Sequence, residues 1–302
     1  MSNRTQDLTL VLGATGKTGR RVHQRLAERG VAVRAGSRAG SPPFDWEQPA
    51  TWAAALDGAT QVYLAYAPDL AVPGSTATVE AFTRQAVEAG VRRIVLLSGR
   101  GEEAAQAAER VVAQAGVEWT VVRAAWFAQN FSEGAFVEPL LAGELALPVG
   151  DVAEPFVDVD DVADVAVAAL TEEGHAGRIY ELTGPRLVTF AEAVAEIDRA
   201  GGPRARFQRI PLDAFLGGAA DAGESPEVVW LLGFLFGELF DGRNATLGDG
   251  VQQALGRPPR DLAEWARDAV AAGAWSGAAG GGEQGAAGAD GAAPAADAEP
   301  AR

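Results

Sequence analysis

Short apolar segments alternate with amphipathic segments along the first 183 residues. The apolar segments have the length of strands and are rich in β-branched residues and leucine, which predicts strands at 8–12, 31–35, 61–66, 93–98, 117–123 and 178–183. The segments between them predict helices near 18–29, 49–57, 75–89, 102–115 and 160–172. Because strands that alternate with helices form parallel sheets covered on both faces, the pattern predicts an α/β, Rossmann-like, doubly wound fold.

A segment with more helices and more aromatic residues follows, and it predicts a smaller, mainly helical lobe over 184–275. Thr189 and Glu192 have the spacing of a capping box at a helix start. Residues 228–240 are apolar on nearly all sides, which predicts a buried helix. That helix would belong to the core or to a subunit contact, or alternatively to a hydrophobic substrate pocket that includes Trp230.

The last residues have a different composition. Residues 276–302 contain no apolar residue larger than alanine. Such a segment cannot offset the entropy cost of ordering, so we predict a disordered tail.

Glycines at three-residue spacing follow the first strand and precede the first helix: Gly13, Gly16 and Gly19. The start of a helix offers unpaired N–H groups and a positive dipole end, and glycines allow a diphosphate to approach closely. This predicts that residues 1–183 form a dinucleotide-binding domain. The expected cofactor-binding residues of the turn are Gly13, Thr15, Gly16, Lys17, Thr18 and Gly19.

The end of the second strand selects the nucleotide. Ser37 and Arg38 stand there, and no acidic residue does. A carboxylate at this place accepts the ribose hydroxyls of NAD, whereas arginine suits the additional phosphate of NADP. We therefore predict NADP(H) in preference to NAD(H). Asp45 is a candidate for hydrogen bonding the adenine, or alternatively a turn residue before Trp46.

Composition excludes several classes of function. The formal net charge of −16 argues against a nucleic-acid partner and an anionic membrane surface. The chain has no cysteine and only two histidines, His23 and His175, so we expect no disulfide, no thiolate catalysis and no metal site. It shows no signal peptide and no apolar stretch of membrane-spanning length, so we expect a cytoplasmic protein.

Lys17 is the only lysine of the chain. Ordinary short-chain dehydrogenases use a Tyr-x-x-x-Lys pair for proton transfer, and none of Tyr63, Tyr66 and Tyr180 has a lysine four residues later. Either the protein needs no strong proton donor, or it catalyses no reaction.

The chain resembles the NmrA-like group of atypical short-chain dehydrogenases, and within it the reductases of the ergot-alkaloid-biosynthesis type. The resemblance covers residues 8 to about 272 and is carried by the glycine turn 13–19, Ser37-Arg38, Phe44-Asp45-Trp46, Leu97-Ser98, 118–123, Trp126–Phe131, Phe156–Asp161 and Tyr180–Gly184. Ala124 departs from the proline that many members have there.

The resemblance implies an NAD(P)H-dependent oxidoreductase that transfers hydride to a small electrophilic molecule, such as an iminium ion, a quinone or an activated carbonyl or alkene. The family also includes regulators that sense the cofactor without turnover, so an NADP(H)-sensing regulatory protein is the alternative. We further expect a homodimer. The residues after the strand at 61–66 and at the end of the strand at 93–98 would face the nicotinamide, because ligands bind at the carboxyl ends of parallel strands.

Tyr66 and Ser98 are the catalytic candidates, although each is equally well explained as a structural residue. Further expected site residues are Ala65, Ala67 and Pro68 for the cofactor, and Trp126, Phe127, Asn130 and Phe131 for the substrate pocket. For Asp158, Asp160, Asp161 and His175 we expect structural roles.

Overall fold

The computed structural model describes residues 7–276. The strands are β1 (Leu8–Leu12), β2 (Ala32–Gly36), β3 (Ala59–Leu64), β4 (Arg93–Gly99), β5 (Glu118–Ala124), β6 (Glu144–Leu147), β7 (Ala153–Glu154), β8 (Arg178–Leu182), β9 (Val188–Thr189) and β10 (Arg206–Arg209). The α-helices are α1 (Lys17–Glu28), α2 (Trp52–Leu56), α3 (Ser75–Glu88), α4 (Glu103–Ala113), α5 (Val137–Leu141), α6 (Val159–Thr171), α7 (Phe190–Arg199), α8 (Leu212–Asp221), α9 (Pro226–Phe234), α10 (Gly250–Leu255) and α11 (Leu262–Ala271). Of the tail predicted at 276–302, only residue 276 belongs to the described residues, so the prediction of disorder lies outside them.

Six strands form one parallel sheet in the order β2-β1-β3-β4-β5-β8. Strand β1 pairs with β2 on one side, where Leu12 is opposite Gly36, and with β3 on the other, where Val11 is opposite Tyr63. The chain therefore reverses its direction across the sheet at β1, and ligands of such folds bind at this switch point. The predicted Rossmann-like fold is confirmed.

Alternating residues of the strands enter two cores, one on each face of the sheet. On one face Val11, Tyr63 and Val95 pack with the apolar side of α1 and with α6, which is nearly all buried. On the other face Leu10 and Leu12 pack with residues of α2, α3 and α4. Two faces covered by helices explain why the sheet strands are apolar at successive positions.

A third core holds the lobe together. Strand β6 pairs with β10, and β7 pairs with β9. The side chains of Phe131, Phe190 and Trp265 are central to this core. The core joins residues before and after residue 183, and the division into domains at 183 and 275 stays a prediction.

The expectation that the helix at 228–240 is buried in the core of this chain is wrong for its first half, and the alternative of a subunit contact stays a prediction. Helix α9 has no buried residue, and the Trp230 side chain is 44% exposed and stacks on Phe234. The helix packs mainly against α8 and the π-helix at 235–239, so much of its surface faces solvent. Only the π-helix and the residue after it enter the core, through Phe236, Leu239 and Phe240.

Candidate active site

The turn between β1 and α1 has a geometry that only glycine permits at two positions. Gly13 has a φ of +63°, in the left-handed region. A Cβ on Gly19 would lie 2.1 Å from the carbonyl oxygen of Gly13, so the helix begins directly against the turn. The close approach leaves an open concave backbone surface above the turn.

The N–H groups at the start of α1 supply the donors of this surface. Gly16 donates to the Gly13 carbonyl at 2.9 Å, and Arg20 donates to the Gly16 carbonyl at 3.1 Å. Among residues 7–276, no backbone acceptor is found for the N–H groups of Lys17, Thr18 and Gly19. Gly16 provides no side-chain cap, so these donors are available to a phosphate. The turn therefore fits the diphosphate of a dinucleotide, with Thr15 exposed at its edge.

The end of β2 lies beside the turn, since Ala14 donates to the Gly36 carbonyl at 3.4 Å. Ser37 and the exposed Arg38 follow directly. Arg34 points elsewhere, because its guanidinium donates to the carbonyl oxygens of Ala55 and Asp57. Arg38 is thus the arginine of this strand that is placed near the dinucleotide turn.

Asp45 has the turn role that was the alternative to adenine binding. Its carboxylate accepts from the Glu47 N–H at 3.0 Å and the Gln48 side-chain amide at 3.0 Å. Its carbonyl accepts from the indole of Trp52 at 2.8 Å. These bonds fix the segment between β2 and α2.

The end of β3 closes the other side of the turn. A Cβ on Gly13 would lie 3.4 Å from the Cβ of Ala65, so the turn and the strand end are in contact. The Trp46 indole donates to the Ala65 carbonyl at 3.3 Å and lies 4.9 Å from the ring of Tyr66. This aromatic contact sets the direction in which Tyr66 leaves the strand.

A cavity of about 320 Å³ opens at the carboxyl edge of the sheet, next to the turn. It is bordered by residues from the ends of three sheet strands, from β7 and from the lobe. They are Lys17, Tyr66, Pro68, Asp69, Leu70, Leu97, Ser98, Gly99, Arg100, Glu102, Ala124, Ala125, Trp126, Phe127, Asn130, Glu154, Leu235, Leu239 and Asn244.

The two catalytic candidates both border the cavity, but their hydroxyl groups differ. The Ser98 hydroxyl donates to the Glu109 carboxylate at 2.6 Å, and Ser98 is only 4% exposed. Its proton is therefore held by a buried carboxylate, and the structure favours the structural explanation of Ser98. Tyr66 is half-buried, and this burial raises the pKa of its phenol, which makes it a weaker acid than a free tyrosine.

Three of the predicted pocket residues, Trp126, Phe127 and Asn130, border the cavity, and their contact with a substrate stays a prediction. Trp126 lies 4.7 Å from Phe240, which links this side of the cavity to the lobe. The expectation for Phe131 is wrong, because Phe131 is fully buried in the third core and cannot touch a ligand. Trp230 does not border the cavity, in keeping with its place on the exposed helix.

Acidic residues at the cavity were missed by the sequence analysis. Glu102 is 6% exposed and Glu154 is 1% exposed, and one carboxyl oxygen of each has no hydrogen-bond partner among residues 7–276. Burial, with the neighbouring Asp69, raises the pKa of Glu102 to about 9. Burial raises the pKa of Glu154 to about 7, against the opposing effect of Arg100. Both groups can therefore carry a proton near neutral pH.

Two basic residues, Lys17 and Arg100, also border the cavity. Burial lowers the pKa of the Lys17 ammonium. Arg100 is held by the carbonyl oxygens of Asn244 and Thr246 at 3.2 and 3.1 Å, so it joins the end of β4 to the lobe. A charged residue directly after a strand end could have indicated Arg100 and Glu102, whereas no local signal indicates Glu154.

The residues expected to be structural are structural. Asp158 caps α6 by accepting from the Asp160 N–H at 2.8 Å, and Asp160 pairs with Arg21 and Arg25. The Nδ1 atom of His175 shares a hydrogen bond of 2.9 Å with the Tyr180 hydroxyl, and His175 does not border the cavity. In the described part of the chain no group of three His, Cys, Asp or Glu side chains could hold a metal.

A family profile described as NAD(P)H-binding matches residues 13–173, which include the glycine turn and all cavity-bordering strand ends. The chain belongs to this NAD(P)H-binding family. As an NmrA-like member with the turn of a dinucleotide site, it is an NAD(P)H-dependent oxidoreductase of the atypical short-chain dehydrogenase type, and the sequence prediction of the family is confirmed.

Curated relatives extend over nearly the whole chain. The chain is 32% identical to (4-alkanoyl-5-oxo-2,5-dihydrofuran-3-yl)methyl phosphate reductase of Streptomyces griseus over 284 residues, 86% of this chain and 97% of the relative. It is 28% identical to agroclavine dehydrogenase of Claviceps fusiformis, over 86% of this chain and 96% of the relative.

Among solved structures, triphenylmethane reductase of Citrobacter sp. in complex with NADP(H) has the same fold. The TM-score is 0.69 at 20% identity, over 87% of this chain and 99% of the other. This similarity supports the Rossmann-like architecture described above.

No helix among residues 7–276 is long and apolar enough to cross a bilayer.

Proposed function

We propose that this oxidoreductase reduces a small electrophilic organic molecule, such as an iminium ion, a quinone or an activated carbonyl or alkene, with NADPH. The observation that carries the proposal is the cavity of about 320 Å³ directly beside the glycine turn. A protein that only senses the dinucleotide needs the turn, but it needs no such cavity. Relatives that are named as a reductase and as a dehydrogenase, and that match over most of their length, support the same conclusion.

The parts of the site have separate tasks in this reaction. The N–H groups of Lys17, Thr18 and Gly19 hold the diphosphate, and NADPH supplies the hydride when it is bound. Trp126 and Phe127 with Leu235 and Leu239 provide an apolar wall for the acceptor and exclude water. Binding two reactants side by side can by itself lower the barrier by several kcal/mol.

NADPH is proposed in preference to NADH because of the end of β2. Arg38 and Ser37 leave the strand beside the turn, where a 2′-phosphate would need donors, and no carboxylate stands there for a 2′-hydroxyl. A homodimer and a cytoplasmic location stay predictions.

The test is NADPH oxidation by the purified full chain, followed by absorbance. The acceptors are menadione as a quinone, cinnamaldehyde as an enal and N-methyl-3,4-dihydroisoquinolinium as a permanently charged iminium ion. Oxidation that depends on the enzyme and on one of these acceptors supports the proposal. Tight NADPH binding without oxidation in any of the three would favour a cofactor sensor.

A further inference from the structure

The cavity contains a buried carboxyl group that the proposed reduction has not used. Glu102 caps α4 through its carbonyl, which accepts from Gln106 at 3.1 Å, while its side chain turns back toward β4. There it lies against Gly99, since a Cβ on Gly99 would be only 2.2 Å from Glu102 Oε1. The carboxyl group is thus fixed at the strand end that borders the cavity.

The other carboxyl oxygen of Glu102, Oε2, has no hydrogen-bond partner within residues 7–276 although it is inaccessible to solvent. A buried polar atom without a partner is costly, and such atoms in native proteins commonly have a function or a ligand. The side chain of Glu102 borders the cavity, so an acceptor bound there would lie beside its carboxyl group. The unpartnered oxygen therefore indicates that this carboxyl group serves a ligand of the cavity.

We propose that Glu102 is the catalytic acid of the reduction, with Asp69 as the group that returns its proton. The proposal rests on the proposed reductase function and extends it to neutral acceptors, whose reduction requires a proton. Asp69 borders the same cavity, its charge contributes to the raised pKa of Glu102, and it is partly exposed, so it is placed to connect the buried acid with solvent.

With a carbonyl acceptor, a hydride and a proton add to the two ends of the C=O bond. The hydride forms a new C–H bond at the carbonyl carbon, and the electron pair of the C=O π bond moves to oxygen. The O–H bond of Glu102 breaks, and its proton forms the alcohol O–H. Asp69 then takes up a proton from the solvent and passes it to the carboxylate of Glu102, which restores the acid. The net reaction consumes one hydride and one proton.

Other groups at the cavity fit this role less well. Tyr66 has a raised pKa, and the Ser98 hydroxyl donates to Glu109. Glu154 faces Arg100, whose positive charge opposes protonation of Glu154.

For Glu102, burial and the negative charges of Asp69 and Glu109 favour the protonated form. The other charged groups that border the cavity are Arg100, Lys17 and Glu154. An acid that holds its proton until about pH 9 is available throughout the neutral range.

The kinetic test uses the difference between neutral and charged acceptors. An iminium ion takes up hydride and becomes neutral without a proton, whereas cinnamaldehyde needs one. Glu102→Gln keeps the shape of the side chain but supplies no proton. We expect it to lower kcat for the best neutral acceptor by about ten-fold or more, and to change kcat for N-methyl-3,4-dihydroisoquinolinium by less than about two-fold.

The matched control is Glu103→Gln, one residue further along and exposed to solvent, which should leave both rates unchanged. NADPH affinity of each variant shows whether the site is intact. Equal loss for both acceptors, loss for the iminium ion alone, or no loss for either would overturn the proposal. Loss for the iminium ion alone would instead indicate that Glu102 binds cations.

A second readout does not depend on turnover or on correct folding of the variant. Infrared spectra of the wild-type protein between about pH 6 and pH 10 should show the carbonyl band of a protonated, buried carboxyl that disappears near pH 9. Glu103→Gln should keep this band, and Glu102→Gln should remove it where it folds. Absence of the band at neutral pH refutes the catalytic acid, whereas absence of NADPH oxidation with the band present refutes only the reductase function.

Discussion

Two single side chains have the largest proposed effects, Arg38 on the choice of dinucleotide and Glu102 on proton transfer. Arg38 leaves β2 beside the phosphate turn, and Arg34 of the same strand is held by two carbonyl groups. In the proposed NADPH complex, recognition of the 2′-phosphate depends on the Arg38 guanidinium, which can bind phosphate through two parallel hydrogen bonds.

Arg38→Ala should raise the Kd for NADPH by about 10- to 100-fold, because hydrogen bonds to charged groups contribute about 1.5–3 kcal/mol. The Kd for NADH should change by less than about two-fold. Titration calorimetry with both coenzymes measures the two effects. Arg178→Ala is the matched control, since Arg178 is exposed at the opposite edge of the sheet. An equal loss for both coenzymes would show that Arg38 does not bind the 2′-phosphate.

Glu102 also links stability to pH. Its pKa is about 9 in the folded protein and near 4.5 in the unfolded chain. Both states are protonated below pH 4.5, but between these two values only the folded state keeps the proton. The free energy of unfolding therefore falls as the pH rises through this window, and it falls no further above about pH 9.

Glu102→Gln removes this pH dependence. The proton linkage amounts to about 1.4 kcal/mol per pH unit, or about 4 kcal/mol between about pH 6 and pH 9. The Tm of the variant minus the Tm of the wild type should therefore increase by about 8–16 °C over this range, because about 1 kcal/mol corresponds to about 2–4 °C in a protein of this size. Thermal melts in buffers of equal ionic strength measure it, with Glu103→Gln as the reference. A constant Tm difference across this range would mean that the carboxyl of Glu102 is already ionised at pH 6.

Helices and strands were the part of the structure that the sequence predicted best. All six sheet strands and the five helices around them lie within a few residues of the prediction, and the Thr189–Glu192 capping box forms as expected. Their apolar positions have a clear period, because each element buries a face against the same sheet. The prediction of a buried helix failed at α9 because that segment is apolar on nearly all sides and has no period that marks one buried face. An apolar segment does not show what covers it, and α9 packs mainly on α8.

A buried ion pair joins helix α6 to the segment before α11, and the sequence pattern alone did not show it. Asp161 in α6 is fully buried and accepts from the Arg260 N–H at 2.7 Å and pairs with Arg257 at 2.8 Å. This connects α6, which packs on the sheet, with the segment before α11 in the lobe.

Asp161→Asn should lower the free energy of unfolding by about 2–3 kcal/mol, because removing one charge of a buried pair leaves its partners incompletely paired. Both arginines are about one-third exposed and keep Asp164 as a partner, so the loss should stay below that of a fully buried pair. Urea unfolding measures it. Asp213→Asn, at an exposed carboxylate in α8, should change stability by less than about 0.5 kcal/mol. Equal effects of the two substitutions would contradict the assigned role of Asp161.

At the scale of the whole molecule, the cofactor side of the site could be predicted and the acceptor side only in part. The glycine turn and the end of β2 are short local segments, and their glycine and arginine residues by themselves indicate phosphate binding. Glu154, Leu235 and Asn244 reach the cavity from β7 and from the lobe, at distances along the chain that no local pattern spans. Phe131 follows the strand at 117–123 together with Trp126 and Phe127, which predicts a place at the cavity, but a helical turn at 128–131 directs it into the core.

The central claim is that the N–H groups at the start of α1 hold a dinucleotide diphosphate beside the cavity. Calorimetric titration of the full chain with NADPH, compared with Gly19→Ala, tests it most directly. Gly217→Ala serves as control, because a Cβ there meets no atom within 4 Å. We expect micromolar binding by the wild type and the control, and none by Gly19→Ala, whose Cβ would collide with the Gly13 carbonyl. Failure of the wild type to bind either NADPH or NADH at millimolar concentration would contradict the account.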